Sequence, residues 1–99
     1  MNATVIVSLQ AKPDHVEALL AFLSSIQDDI LKAGGQSVSL LQDQDDPTRC
    51  FEVEVWPSAD DHKRFVEKAT STGMFEPLDS LLAVSLNVYY LDTVKYSEG

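Results

Sequence analysis

At 99 residues the chain has room for one compact domain and none for a second core, so residues 1–99 are read as a single domain. Its 44% hydrophobic and 23% charged residues exclude a disordered or fibrous protein, and no apolar run approaches the roughly 20 residues of a membrane span. Seven Lys and Arg against sixteen Asp and Glu give a net charge of −9, a field that repels phosphate backbones and anionic lipid, so neither nucleic acid nor membrane is expected as a partner.

Residues 4–10 alternate Val5, Val7 and Leu9 with Thr4, Ile6 and Ser8, the two-residue period of a strand. Lys12-Pro13-Asp14 opens a helix with proline where its missing N–H costs nothing and an acid where the helix end is positive. Val16, Leu19, Leu20, Leu23, Ile26 and Ile30 then recur at three- and four-residue steps, predicting one long helix with a buried face that ends at Gly34-Gly35. His15, beside Asp14, is read as solvated.

A second strand over 36–42, a turn at Asp43-Gln44-Asp45-Asp46-Pro47 and a return strand from about Arg49 to Trp56 make a hairpin. The return strand has Phe51, Val53 and Val55 on one face, Cys50, Glu52, Glu54 and Trp56 on the other. Hydrophobicity assigns the first set to the helices, with Glu54 structural. Ser58 is placed as the N-cap of a second helix, with His62, Phe65, Val66 and Ala69 on one side. Ser71-Thr72-Gly73 ends it, a short helix carries Phe75, Leu78, Leu81 and Leu82, and a last strand runs from Leu86 to about Thr93.

The order β-α-β-β-α-(α)-β predicts an α+β fold, the ferredoxin-like split β-α-β sandwich: a four-stranded antiparallel sheet with helices on one face. Ile6, Leu41, Trp56, Tyr89 and Leu91 would fall on the other face and call for a second layer. With no chain left to supply one, a homodimer through the sheet face is expected; the alternative is a solvated face, because Thr4, Ser8, Ser37, Ser39, Glu52 and Glu54 interleave with the apolar residues.

The chain resembles the antibiotic biosynthesis monooxygenase family. The resemblance rests on the first strand running into Ala11-Lys12-Pro13 and a helix, on the Gly-Gly turn, on Asp45-Asp46-Pro47, on Glu54-Val55-Trp56-Pro57-Ser58, and on Phe75 and Leu78 in the later turn. It implies a dimeric α+β barrel and, for the quinol-oxidising members, cofactor-independent oxygenation of a small aromatic or quinol compound. It also marks departures. Members resembling simple quinol monooxygenases carry histidines where this chain has Phe65 and Met74, and haem-degrading relatives carry a tryptophan at the place of Phe65. Haem degradation is therefore disfavoured, and no family histidine can be carried over.

Oxygenation without a cofactor needs a base, a dry pocket and a hydrogen-bond donor. His62 is the candidate base, since imidazole titrates near neutrality and it shares the face of Phe65; the alternative is a partly exposed surface histidine. Trp56, Phe65, Met74, Phe75, Tyr89 and Tyr90 are candidate substrate-binding residues, with only one of the adjacent tyrosines able to face a given cavity. Ser71 to Pro77 could act as a lid. No metal site or cofactor is expected, because Cys50 has no ligand-spaced partner and no Gly-rich loop opens a helix. The lone cysteine and the missing leader pattern point to the cytoplasm. Two functional readings stand: a cofactor-free monooxygenase, and a dimeric small-molecule-binding protein that has lost the chemistry. An effector-sensing domain is disfavoured by the charge and by the missing helix-turn-helix.

Overall fold

The computed structural model describes residues 2–96. In chain order the elements are β1 (Ala3–Gln10), a single 3₁₀ turn (Pro13–His15), α1 (Val16–Ser25), α2 (Gln27–Lys32), β2 (Ser37–Gln42), β3 (Arg49–Trp56), α3 (Ala59–Ser71), α4 (Leu78–Leu81) and β4 (Asn87–Leu91). The sheet order is β2-β3-β1-β4 and every pairing is antiparallel, which is the ferredoxin-like arrangement expected from the sequence. The helices cover one face, and the sheet of the single chain is open rather than closed into a barrel.

Short-range chemistry sets the element ends. Asp43 Oδ1 accepts from the backbone N–H of Asp45 at 2.8 Å and of Asp46 at 3.3 Å, and Asp46 Oδ1 accepts from Thr48 Oγ1 at 2.6 Å, so the acids of the hairpin turn bond their own backbone and neighbours. Ser58 Oγ accepts from the Asp61 N–H at 3.1 Å and starts α3, a cap that typically contributes ~1 kcal/mol. Gly34 takes φ +119°, a region that a side chain disfavours, and a Cβ on Gly35 would stand 2.8 Å from Ile30 Cγ2. The glycine pair therefore both turns the chain and lets it pass against the helix it leaves.

Two expectations need correction. The long first helix is interrupted at Ile26, whose φ of −97° and ψ of 0° separate α1 from α2. Ser25 Oγ bonds back to the Phe22 carbonyl at 2.6 Å, the local competition with helical hydrogen bonding that serines introduce, and the Ile26 N–H reaches back to the Leu23 carbonyl at 3.4 Å, a three-residue step. The apolar stripe survives the break because Leu23, Ile26 and Ile30 all stay buried.

The second correction concerns β3, whose faces are the reverse of the expectation. Val5 pairs with Glu54, Val7 with Glu52, Leu9 with Cys50 and Ala3 with Trp56. Residues opposite one another in an antiparallel pair share a face, so Cys50, Glu52, Glu54 and Trp56 lie under the helices with Val5, Val7 and Leu9. Phe51, Val53 and Val55 lie on the uncovered face beside Ile6, Leu41, Tyr89 and Leu91. Hydrophobic alternation along one strand finds the two faces but cannot say which is covered when both layers of the sheet carry apolar side chains. Leu19, Leu23, Ile30 and Trp56 form the deepest part of the core, and the Trp56 ring fills the space beside Gly34.

Candidate functional site

Between the covered face of the sheet and the helices lies a cavity of about 370 Å³. Val7, Leu9 and Val88 form its sheet wall, Leu23, Ile26 and Ile30 come from α1 and its continuation, Phe65 and Val66 from α3, and Phe75, Leu78 and Leu82 from the segment after it. Such apolar walls with a few convergent polar groups are what small-molecule sites have in common. The polar groups here are Glu52, Glu54 and His62, which are 4%, 2% and 3% exposed, with Asp79 and Ser85 as further polar residues of the lining.

Two-residue periodicity on β3 turns both carboxylates inward alongside Trp56. Trp56 Nε1 donates to Glu54 Oε1 at 2.8 Å, and His62 Nε2 stands 3.8 Å from the same oxygen. On the other side of the imidazole, Nδ1 is 2.9 Å from the Tyr90 hydroxyl. Edge-on packing of His62 against both Trp56 and Tyr90, with ring centroids 5.5 Å apart in each case, fixes the imidazole plane. Lys63 Nζ lies 5.1 Å from the Tyr90 ring centroid and caps its outer side.

Burial, and then the charge of Glu54 beside it, push the Glu52 carboxyl up to about 8, so it holds a proton at neutral pH. Burial also raises Glu54, and the hydrogen bonds it receives from Trp56 and Glu52 offset part of that. Burial lowers His62 and keeps its ring neutral. Which of His62 Nδ1 and the Tyr90 hydroxyl donates in their contact follows the imidazole tautomer, and the Tyr90 phenol is raised by burial and then by the Glu54 charge. One oxygen of the set, Glu52 Oε2, is buried without any hydrogen-bond partner.

Of the residues singled out from the sequence, His62, Phe65 and Phe75 line the cavity, Trp56 supports it from behind, and Tyr90 reaches it through His62. Phe65 links the others, packing at 5.5 Å on Trp56 and at 6.2 Å on Phe75. Met74 lines a separate hollow of about 310 Å³ with Phe65, Lys32 and Lys68. Tyr89 pairs with Ile6 on the uncovered face and is 50% exposed. His15 is half-buried at the start of α1 and is no part of the cavity wall. Sequence reasoning missed Glu52 and the buried role of Glu54. The signal lay in the strand itself: a tryptophan too large to leave in water, at even spacing from both acids, carries them to its own face. Among the described residues no group of three or more His, Cys, Asp or Glu side chains is placed to hold a metal ion.

The model of the family described as antibiotic biosynthesis monooxygenase matches residues 2–76, a stretch that contains Glu52, Glu54, His62 and Phe65 and stops short of Tyr90. Among solved structures, a candidate antibiotic biosynthesis monooxygenase from Bordetella bronchiseptica is 20% identical and aligns with a TM-score of 0.84 over 95% of this chain and 98% of that one. A second, from Nitrosomonas europaea, is 20% identical with a TM-score of 0.83 over 94% and 90% of the two chains. A Mycobacterium tuberculosis protein is 18% identical with a TM-score of 0.82 over 99% and 100%. None of the curated proteins matches. Identities this low speak for a shared fold alone, but the family match covers most of the sequence. The chain belongs to the antibiotic biosynthesis monooxygenase family.

Proposed function

We propose that the protein is a cofactor-independent monooxygenase acting on a small aromatic or quinol-type compound held in the cavity between sheet and helices. The observation that carries this reading is the meeting of a dry, apolar-walled cavity with a connected set of proton-holding groups, Glu54, His62 and Tyr90, at one place on its wall. An electron-rich ring that loses a hydroxyl proton becomes an anion able to reduce dioxygen. One oxygen atom stays on the ring and the other leaves as water, with the ring supplying the electrons. His62 is the proposed base: neutral, oriented by Tyr90, and beside a carboxylate that stabilises the imidazolium once formed. Phe65, Phe75, Trp56 and Tyr90 shape or support the binding space, Met74 adjoins it through Phe65, and Tyr89 belongs to the partner-facing side.

The active unit is proposed to be a homodimer. Ile6, Phe51, Val53, Val55, Tyr89 and Leu91 make an apolar layer with no cover from the chain itself, and Leu41 at its edge is 52% exposed. Two such faces packed together would make the barrel that one open sheet does not. Among the described residues no helix is long and apolar enough to cross a membrane, and the buried, unpaired Cys50 supports a reducing, cytoplasmic setting.

A second reading, a binding protein without turnover, is favoured by one observation. Phe65 and Met74 occupy the positions where the quinol-oxidising relatives described above carry histidine. Oxygen uptake with a panel of hydroquinones separates the two. Turnover by the wild type that falls at least tenfold in His62→Ala supports the oxygenase; binding without oxygen uptake on any electron-rich ring supports the second reading.

A further inference from the structure

Phe65 divides two recesses of opposite electrical character. On its inner side lies the cavity already described, whose lining holds the carboxyl groups of Glu52, Glu54 and Asp79 and neither Lys nor Arg. On its outer side, between the C-terminal parts of α2 and α3, the hollow of about 310 Å³ holds Lys32 and Lys68 against one acid, Asp29. That volume stands at the lower end of the roughly 300–1,000 Å³ usual for small-molecule sites. The whole chain has seven Lys and Arg to sixteen Asp and Glu, yet neither of these lysines has a carboxylate within ion-pair distance: the ion pairs among the described residues join His62 to Glu54 and Arg64 to Asp61. Two uncompensated cations on one hollow of so acidic a chain make a local field opposite to that of the rest of the surface. Each lysine also lies in the last turn of its helix, where a cation complements the helix dipole. That role accounts for their places along the helices but not for the apolar floor between them, which Phe65, Met74 and Ala69 supply.

We infer that this outer hollow is a binding site for a small aryl carboxylate, its ring against Phe65 and Met74 and its anionic end held by Lys32 and Lys68. An aromatic face and a polarisable thioether are a floor on which an aryl ring packs well. The acids of the inner cavity repel the same anion, so the two recesses select different compounds while sharing Phe65 as a wall. The site stands apart from the chemistry proposed for the inner cavity and holds whether or not that cavity turns over a substrate.

A methyl-resolved NMR titration of the full chain tests the assignment with 2-naphthoate and its uncharged counterpart 2-naphthamide. The chain's methionines are Met1 and Met74, so methyl-labelled methionine gives Met74 a signal of its own, and the methyls of Val7 and Val88 report on the inner cavity. The carboxylate is expected to shift the Met74 methyl saturably, to move Val7 and Val88 little, and to bind at least about fivefold more tightly than the amide. Its affinity should fall as salt rises from about 0.02 to 0.5 M. Replacing both lysines, Lys32→Met with Lys68→Met, should weaken the carboxylate about tenfold and bring it within about twofold of the amide. No saturable shift at Met74, equal wild-type affinity for carboxylate and amide, or a preference that survives the double substitution would each overturn the site. A larger response at Val88 than at Met74 would put the ligand in the inner cavity and overturn it as well. Lysines that serve only their helix ends would give a lower melting temperature when replaced and no carboxylate preference to lose, which the wild-type comparison detects without any variant.

Discussion

The two faces of the sheet differ in a direction opposite to ordinary expectation for β3. The face under the helices carries Glu52 and Glu54 on that strand, and the face without cover carries Phe51, Val53 and Val55. Burying two neighbouring carboxylates costs several kcal/mol unless protons and hydrogen bonds compensate, and here they do so only in part, since Glu52 Oε2 stays open. Exposing a valine and phenylalanine ridge wastes apolar area that burial would stabilise at about 25 cal/mol per Å². On the function proposed above, a ligand would complement the covered side and a second copy the other. The contrast teaches that the two sides of one strand can be shaped for two different contacts.

Substitutions can break this contrast one face at a time. The largest effect is expected on the covered side. Trp56→Ala removes the biggest core side chain and the donor to Glu54 Oε1, and should lower unfolding free energy by about 3–5 kcal/mol in denaturant titration; a loss under about 1 kcal/mol would mean that the core lies elsewhere.

Next comes the pH response of Glu52. Its carboxyl sits at about 8 in the folded chain against an ordinary 4.5, so across that interval the folded state binds a proton that the unfolded state has released. Stability should therefore be highest at the acid end of the window, fall on the order of 3 kcal/mol as pH rises towards 8, and level off above it. Glu52→Gln should flatten that slope, and an unchanged slope would place the titration on other groups.

On the uncovered side, Val53 lies between Ile6 and Ser39 in the middle of the sheet. Val53→Asp should weaken self-association by about 2 kcal/mol, roughly thirtyfold in Kd, with the circular dichroism spectrum unchanged. Sedimentation of the wild type as a monomer at micromolar concentration would remove the dimer altogether. The smallest effect is expected for Tyr90→Phe, which deletes the hydroxyl at His62 Nδ1 and should cost about 1 kcal/mol in stability. If His62 is the base, the same change should lower oxygen uptake and leave hydroquinone affinity nearly intact.

Much of the architecture was legible because it is written in local chemistry. The alternation of β1, the Ser58 cap, the Asp43 and Asp46 turn and the Gly34-Gly35 exit each follow from a few neighbouring residues. The facing of β3 was not legible from hydrophobic alternation, because the choice between its sides is made by pairing with β1 and by the bulk of Trp56, whose ring needs the space beneath the helices. The site shared that fate. His62 could be found from its helical position beside Phe65, whereas its partners come from strands far away in sequence: Glu54 eight residues before it and Tyr90 twenty-eight after. The break at Ile26 also escaped notice, since a single serine back-bond leaves the apolar stripe undisturbed.

Cys50 occupies the covered face opposite Leu9, buried, with its thiol pushed up to about 11 by burial and then by Glu52. A thiol so placed is almost entirely protonated near neutrality and out of reach of alkylating reagents while the helical layer stays on the sheet. Its rate of labelling thus becomes a clock for transient opening of the core between sheet and helices, read at a single natural position without adding a probe.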